Sequence, residues 1–352
     1  MKMAAIHFPA ARLAGTGAAA VAMAPPTVYY YHDGRHPLIY MYEPPITQEQ
    51  YEHCVDELIG TPVEVLSFCL GDGRTMLHDT KVGELWGNNV EDGSHPAIGD
   101  DGWDHAIFRR AHQNATHLIS QGLDPLTVVV DRAHARGMKL YPCLLVQTPP
   151  DGGVRCSTWH QEHATEYAIG RDGDEGLGGN SADCFDFAIP AVREERMALI
   201  REAIQGYDID GFELNMNYSR YYFHPSRMEE GAEIMTQWIA EVRALLTEAR
   251  GVDAELVVRV PGLNICDAQG LAVREWCATG LVDVVIGENT DGNRCDPNMD
   301  WRPMIAAASG TATRVLASVY SYLNSDRLDQ APLPMIRAAA CNAWAQARKC
   351  PL

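Results

Sequence analysis

Apolar residues along this chain fall into two alternating patterns. Short continuous runs, Thr27–Tyr31, Val63–Leu70, Lys139–Val146, Glu255–Val260, Val282–Gly287 and Arg314–Val319, are dense in Val, Ile, Leu and Tyr. Buried parallel strands have this texture. Between them lie segments whose apolar residues return every three to four positions, the period of a helix packed on one face. These predict helices over Thr47–Leu58, Trp103–Gln121, Pro125–Arg136, Pro190–Gln205, Glu230–Ala249, Ala268–Ala278 and Pro332–Ala347. The third has the firmest ends, with Asp124 as cap, Pro125 in the first turn and Gly137 just past the last. Pro142, within Lys139–Val146, predicts an irregular or edge-like strand there.

A further strand lies in Tyr207–Pro225, YDIDGFELNMNYSRYYFHP. Side chains alternate along a strand, so Glu213, Asn215 and Asn217 share one face, opposite Phe212, Leu214 and Met216. Three buried polar groups in a row are costly unless they line a wet or paired environment. The stretch is therefore either a ligand-gripping strand end or a hydrogen-bonded network inside the core.

Strand–helix alternation implies parallel strands with right-handed crossovers. Seven such units predict an α/β fold, a (β/α)8 TIM-type barrel that lacks its eighth strand at the C-terminus. That defect leaves the seventh strand with an open edge and predicts association. A doubly wound sheet fits less well, because His32-Asp33-Gly34-Arg35, and no glycine-rich phosphate loop, follows the first strand. No composition break divides residues 26–352, which form one domain with long loops after the second and third strands. Residues 1–25, with Lys2, an alanine-rich run and Ala22-Met23-Ala24, read as a leader or signal peptide outside the fold. With a signal peptide the protein is secreted or periplasmic; without one it is cytoplasmic.

A net charge of −19 argues against a nucleic-acid partner. No apolar window is long enough to span a membrane. Ten cysteines show neither a CxxC pair nor zinc spacing, and neither a Walker loop nor a G-x-S-x-G elbow is present. No cofactor or metal is expected.

In a βα barrel, ligands bind at the C-terminal strand ends. Polar residues there include Asp33, Glu213, Asn215, Arg220, Arg259 and Glu288, with His78, Asp79 and Lys81 in the loop after the second strand. Glu213 and Glu288 stand out as a carboxylate pair. Glycoside hydrolysis needs one acid and one base or nucleophile, about 5–5.5 Å apart for retention and roughly 6.5–9.5 Å for inversion. Arg259, on the strand between, is placed to separate their proton affinities. A Glu–Arg–Glu ion cluster with no catalytic role explains the same residues.

The segments HDTKVGELWG (78–87), DPLTVVVDRAHARGMKLYPCLL (124–145), FDFAIPAVREERMALIREAI (185–204) and YDIDGFELNMNYSRYYF (207–223) resemble glycoside-hydrolase-like TIM-barrel proteins. The likeness is to the family-10-like hydrolase homologues of polysaccharide-degrading bacteria, over roughly residues 27–345. It implies a (β/α)8 barrel, carbohydrate substrates and frequent export. Relatives often read D-G-I-E-L-D on the fourth strand, where this chain has Asn215, and they run on into an eighth strand where this chain ends NAWAQARKCPL. The resulting expectation is a hydrolase of poly- or oligosaccharides. Glu213 and Glu288 are its catalytic residues, and Asp33, His78, Asp79, Lys81, Asn215, Arg220 and Arg259 bind substrate. The alternatives are a non-catalytic or degenerate carbohydrate-binding barrel and a metal-dependent sugar isomerase or lyase.

Overall fold

The structure, a computed structural model, describes residues 2–7, 27–73, 75–88, 102–147, 156–173, 177, 181–218, 221–289, 294–324 and 329–349. Its centre is a closed barrel of eight strands. In chain order these are β1 (Lys2–His7), β2 (Thr27–His32), β3 (Val63–Cys69), β4 (Lys139–Leu145), β5 (Gly211–Asn215), β6 (Glu255–Val260), β7 (Val284–Gly287) and β8 (Arg314–Tyr320). Strands β2 to β8 are parallel and follow one another around the wall. The predicted first to seventh strands are thus β2 to β8.

The wall closes in a way the sequence pattern did not indicate. β1, from the segment set apart as a leader, runs antiparallel between β8 and β2. Met3 lies across from Tyr320 on one side and Tyr31 on the other, and Ala5 across from Ser318 and Tyr29. The eighth position is therefore filled from the N-terminal side, and β8 has no open edge. The separation of residues 1–25 from the fold does not hold for Lys2–His7. KMAAIH is short, with a Lys and a His at its ends, so its apolar pattern is weak. Ala5 is its one fully buried described side chain. Hydrogen-bond ladders on both flanks hold the strand.

Ten helices are used below: α1 (Gln48–Asp56), α2 (Gly102–Ser120), α3 (Pro125–Ala135), α4 (Thr158–His163), α5 (Pro190–Gly206), α6 (Met228–Arg250), α7 (Leu263–Ala268), α8 (Val273–Thr279), α9 (Arg302–Ala308) and α10 (Leu333–Lys349). Local chemistry explains their starts. Thr47 and Gln50 form a reciprocal capping box at α1. Asp124 accepts the backbone N–H of Thr127 at α3, with Pro125 in the first turn. The predicted helix over Ala268–Ala278 is α8, which starts only at Val273; Ala268 ends a separate helix, α7, and Gly270 at φ +70° lies between the two. α4 and α9 were not anticipated; Ser157, whose hydroxyl accepts the N–H of His160, is a cap signal that precedes the first.

Alternating side chains divide the barrel wall. Outward residues such as Leu66, Phe212, Leu214, Val258 and Val285 join the helices in one large core. Inward residues Ala5, Val65, Val257, Val284, Ile286 and Leu316 fill the barrel's middle with Tyr29 and Tyr141. Gly211 makes room for this filling, since a Cβ there would lie 2.7 Å from the Tyr141 ring. Pro142 is on no edge: it lies across from Phe68 of β3, and pairing with β5 begins at the next residue, Cys143.

Candidate functional site

Polar side chains close the barrel interior at both ends. At the N-terminal end, Tyr29 and Tyr141 donate to Glu255 Oε2 at 2.5 and 2.7 Å. Arg314 pairs with Glu255 and donates to the Tyr29 hydroxyl at 2.9 Å.

At the C-terminal end, where ligands bind in such barrels, the predicted face of β5 is borne out. Glu213 and Asn215 are buried inside the barrel, and Phe212, Leu214 and Met216 pack outward. Arg259 occupies the centre. Its Nε donates to Glu213 Oε1 at 2.5 Å and its Nη1 to Glu288 Oε1 at 2.9 Å. Its guanidinium lies over the Tyr31 ring, 4.9 Å from the centroid. Ser67 donates to Glu213 Oε2 at 2.6 Å, and the Cys143 thiol approaches Glu213 Oε1 at 3.5 Å. Tyr320 donates to Glu288 Oε1 at 2.9 Å, and Asn217 Nδ2 to Glu288 Oε2 at 2.6 Å. Each of the seven parallel strands, or the turn that follows it, supplies a member of this cluster.

Burial alone would weaken the Arg259 charge, but Glu213 and Glu288 outweigh it and hold its pKa well above the ordinary value. Burial, reinforced by Glu288, raises the Tyr320 hydroxyl well above its usual range, so Tyr320 is a donor and not an anion. Burial and then Glu213 likewise raise Cys143, which stays a thiol.

The two carboxylates are not equivalent. Glu213 has 0% exposure and is gripped by side chains of β3, β4 and β6. Glu288, 3% exposed, just follows β7, and one of its oxygens meets Asn217 in the turn beyond β5. Asn215, expected to bind sugar, has a structural task in the turn beyond β5. Its Oδ1 accepts the backbone N–H groups of Asn217 at 3.1 Å and Tyr218 at 3.2 Å, which shapes that turn. The turn in turn presents Asn217 to Glu288.

Other predicted binding residues lie elsewhere. Asp33, one alternation beyond Tyr31 on β2, caps its own turn through the Arg35 N–H at 3.2 Å and pairs with His36 at 3.3 Å. Burial alone would raise its carboxyl, but cationic neighbours, His36 and Arg35 among them, hold it well below the usual carboxylate range. His78, Asp79 and Lys81 are directed to the outer helices. His78 Nε2 faces Glu202 of α5 at 3.5 Å, the Lys81 N–H donates to Glu202, and the Asp79 N–H donates to Asp124 at 2.8 Å. The loop turns outward because these two carboxylates satisfy its backbone. Arg220 lies outside the described residues. Tyr31, Ser67 and Cys143 were not among the predicted residues, although period two from the inward Tyr29, Val65 and Tyr141 reaches all three. Among the described residues, no three His, Cys, Asp or Glu side chains are grouped to hold a metal ion, and no helix is long and apolar enough to cross a membrane.

No family model matches the sequence, and none of the curated proteins matches it. Solved structures do match. The PgaB (BpsB) glycoside hydrolase domain from Bordetella bronchiseptica aligns with a TM-score of 0.55 at 11% identity, covering 88% of this chain and 89% of that one. An alpha-L-fucosidase isoenzyme 2 from Paenibacillus thiaminolyticus aligns at 0.44 and 10% identity, over 90% of this chain and 48% of that one. A maltogenic alpha-amylase, AmyB, from Thermotoga neapolitana aligns at 0.40 and 11%, over 74% and 48%. The chain spans about half the length of these last two proteins. What it shares with the PgaB domain is the fold, a closed α/β barrel of the TIM type.

Proposed function

We propose that the C-terminal mouth of the barrel binds an oligo- or polysaccharide and hydrolyses a glycosidic bond, with Glu213 and Glu288 as its carboxylate pair. One observation carries this reading: two strand-end carboxylates share a single buried guanidinium, that of Arg259. One acid is thus fixed by the wall while the other stands nearer the rim. The PgaB domain is named a glycoside hydrolase domain, and its shared fold is in keeping with this reading.

The two carboxylates divide the work by depth. Glu288 carries a proton on Oε2 and passes it to the glycosidic oxygen, once that oxygen takes the place of Asn217, as the bond to the sugar carbon breaks; the water that then adds to that carbon returns a proton to Glu288. Tyr320 and Arg259 hold its other oxygen. Glu213, fully enclosed, supplies fixed negative charge against the positive charge that develops on the sugar ring. Glu288→Gln should lower turnover on a cognate glycan roughly 10²–10⁴-fold, the usual worth of a positioned proton-transfer group, while glycan affinity persists. Undiminished hydrolysis by that variant, across a polysaccharide panel, would overturn the assignment.

A second reading, a non-catalytic carbohydrate-binding barrel, is favoured by the engagement of both oxygens of each carboxylate. Calorimetric glycan binding without turnover on the same panel is its expected signature.

A further inference from the structure

Not every polar group at the C-terminal mouth is engaged by its neighbours. On β8, Leu316 joins the interior filling and Tyr320 reaches Glu288, so Ser318, midway between them, also points inward. Ala317 and Val319, on either side of it, cluster with Ala343 and Ala339 of α10 on the outer face. Register sets Ser318 beside Glu288. β7 and β8 are parallel, Gly287 lies across from Ala317, and the next residues along are Glu288 and Ser318. The strand path holds there, since the Glu288 N–H still donates to Val260 O at 3.0 Å. Neighbouring strands lie about 4.8 Å apart, so the two side chains stand side by side on the inner wall.

Ser318 is 8% exposed, and its hydroxyl makes no hydrogen bond among the described residues. Glu213, Arg259, Glu288 and Tyr320, which face the same interior, all make them. A buried hydroxyl without a partner destabilises the free protein, and an alanine would relieve it. Packing gives no reason for the hydroxyl either, because the residue across from Ser318 on β1 is Ala5, which has only a methyl to offer. A ligand supplies the reason. A serine hydroxyl both donates and accepts, so it suits another hydroxyl. Two oxygens on adjacent carbons of a sugar ring reach two side chains that stand side by side, one at Glu288 and the other at Ser318.

We propose that Ser318 is a ligand-binding residue of the mouth. Its hydroxyl bonds an unsubstituted ring hydroxyl of the saccharide, next to the oxygen that lies at Glu288. The inference rests on the reading of the mouth as a saccharide site, and adds to it a contact on β8 that touches the ligand directly and acts through neither carboxylate.

The test compares Ser318→Ala with the wild-type full chain in two measurements that should move in opposite directions. In thermal denaturation without ligand, the variant should melt roughly 2–4 °C higher, because an unpaired buried hydroxyl is gone. In calorimetry against a polysaccharide panel, it should bind the cognate glycan about two- to tenfold more weakly, the worth of one uncharged hydrogen bond. A hydroxyl with a purely structural role gives the reverse pattern, a lower midpoint and an unchanged affinity. An unchanged or lower midpoint, or an unchanged affinity, overturns the inference and leaves the carboxylate assignment standing. A wild type that binds nothing on the panel overturns both.

Discussion

The two polar ends of the barrel use the same parts in different proportions. At the N-terminal end, Arg314 faces one carboxylate, Glu255, and two tyrosine hydroxyls complete its shell. At the C-terminal end, Arg259 faces two, Glu213 and Glu288. The first arrangement is balanced and ties four strands together. The second carries one negative charge in excess when both acids are ionised, and it is the more deeply buried. A buried, unbalanced charge is expensive to keep. The difference teaches that an Arg–Glu–Tyr network is not by itself a sign of function; a second carboxylate on the same guanidinium is what separates a clamp from a candidate site.

Three experiments break or sharpen this comparison. The largest effect is expected from Arg259→Met, which leaves two buried carboxylates without their cation. Chemical denaturation should show a loss of about 3–5 kcal/mol. Adding Glu213→Gln should restore part of it, and an additive double variant would refute the shared-charge account. At the opposite end, Arg314→Met should cost less, about 1–2 kcal/mol. There Glu255 keeps both tyrosine donors and is itself 23% exposed. Equal losses in the two variants would erase the distinction.

The smallest effect concerns the loop the sequence assigned to the site. Burial would raise the Glu202 carboxyl, but hydrogen bonds from His78, Thr80 and the Lys81 N–H prevail and lower it from 4.5 to about 2. A carboxyl depressed on folding stabilises the fold above its unfolded value. That contribution fades as pH falls from about 4.5 towards about 2. Glu202→Gln should therefore flatten the stability slope in this window and leave glycan binding unchanged. A binding defect would return His78 and Lys81 to the site.

Much of the site was legible because alternation is local. The face shared by Glu213 and Asn215, and the position of Arg259 between Glu213 and Glu288, follow from period two and strand order. The closing strand was not legible, because KMAAIH is only six residues long and one of its partners, β8, lies at the other end of the chain. The contacts of His78, Asp79 and Lys81 were not legible for a similar reason: their partners, Glu202 and Asp124, lie far along the chain. Pro142 misled because strand rules weigh a missing N–H, and its pairing with β5 begins only one residue later.

The turn after β5 has one more implication. What it asks of position 215 is an oxygen that accepts two N–H groups, and an amide or a carboxylate offers one equally well. Asn215 and an aspartate at that position are therefore interchangeable parts of the scaffold that differ in charge. The exchange would deepen the negative potential of the mouth without disturbing the backbone that shapes it. Shape and charge at this strand end are separate variables.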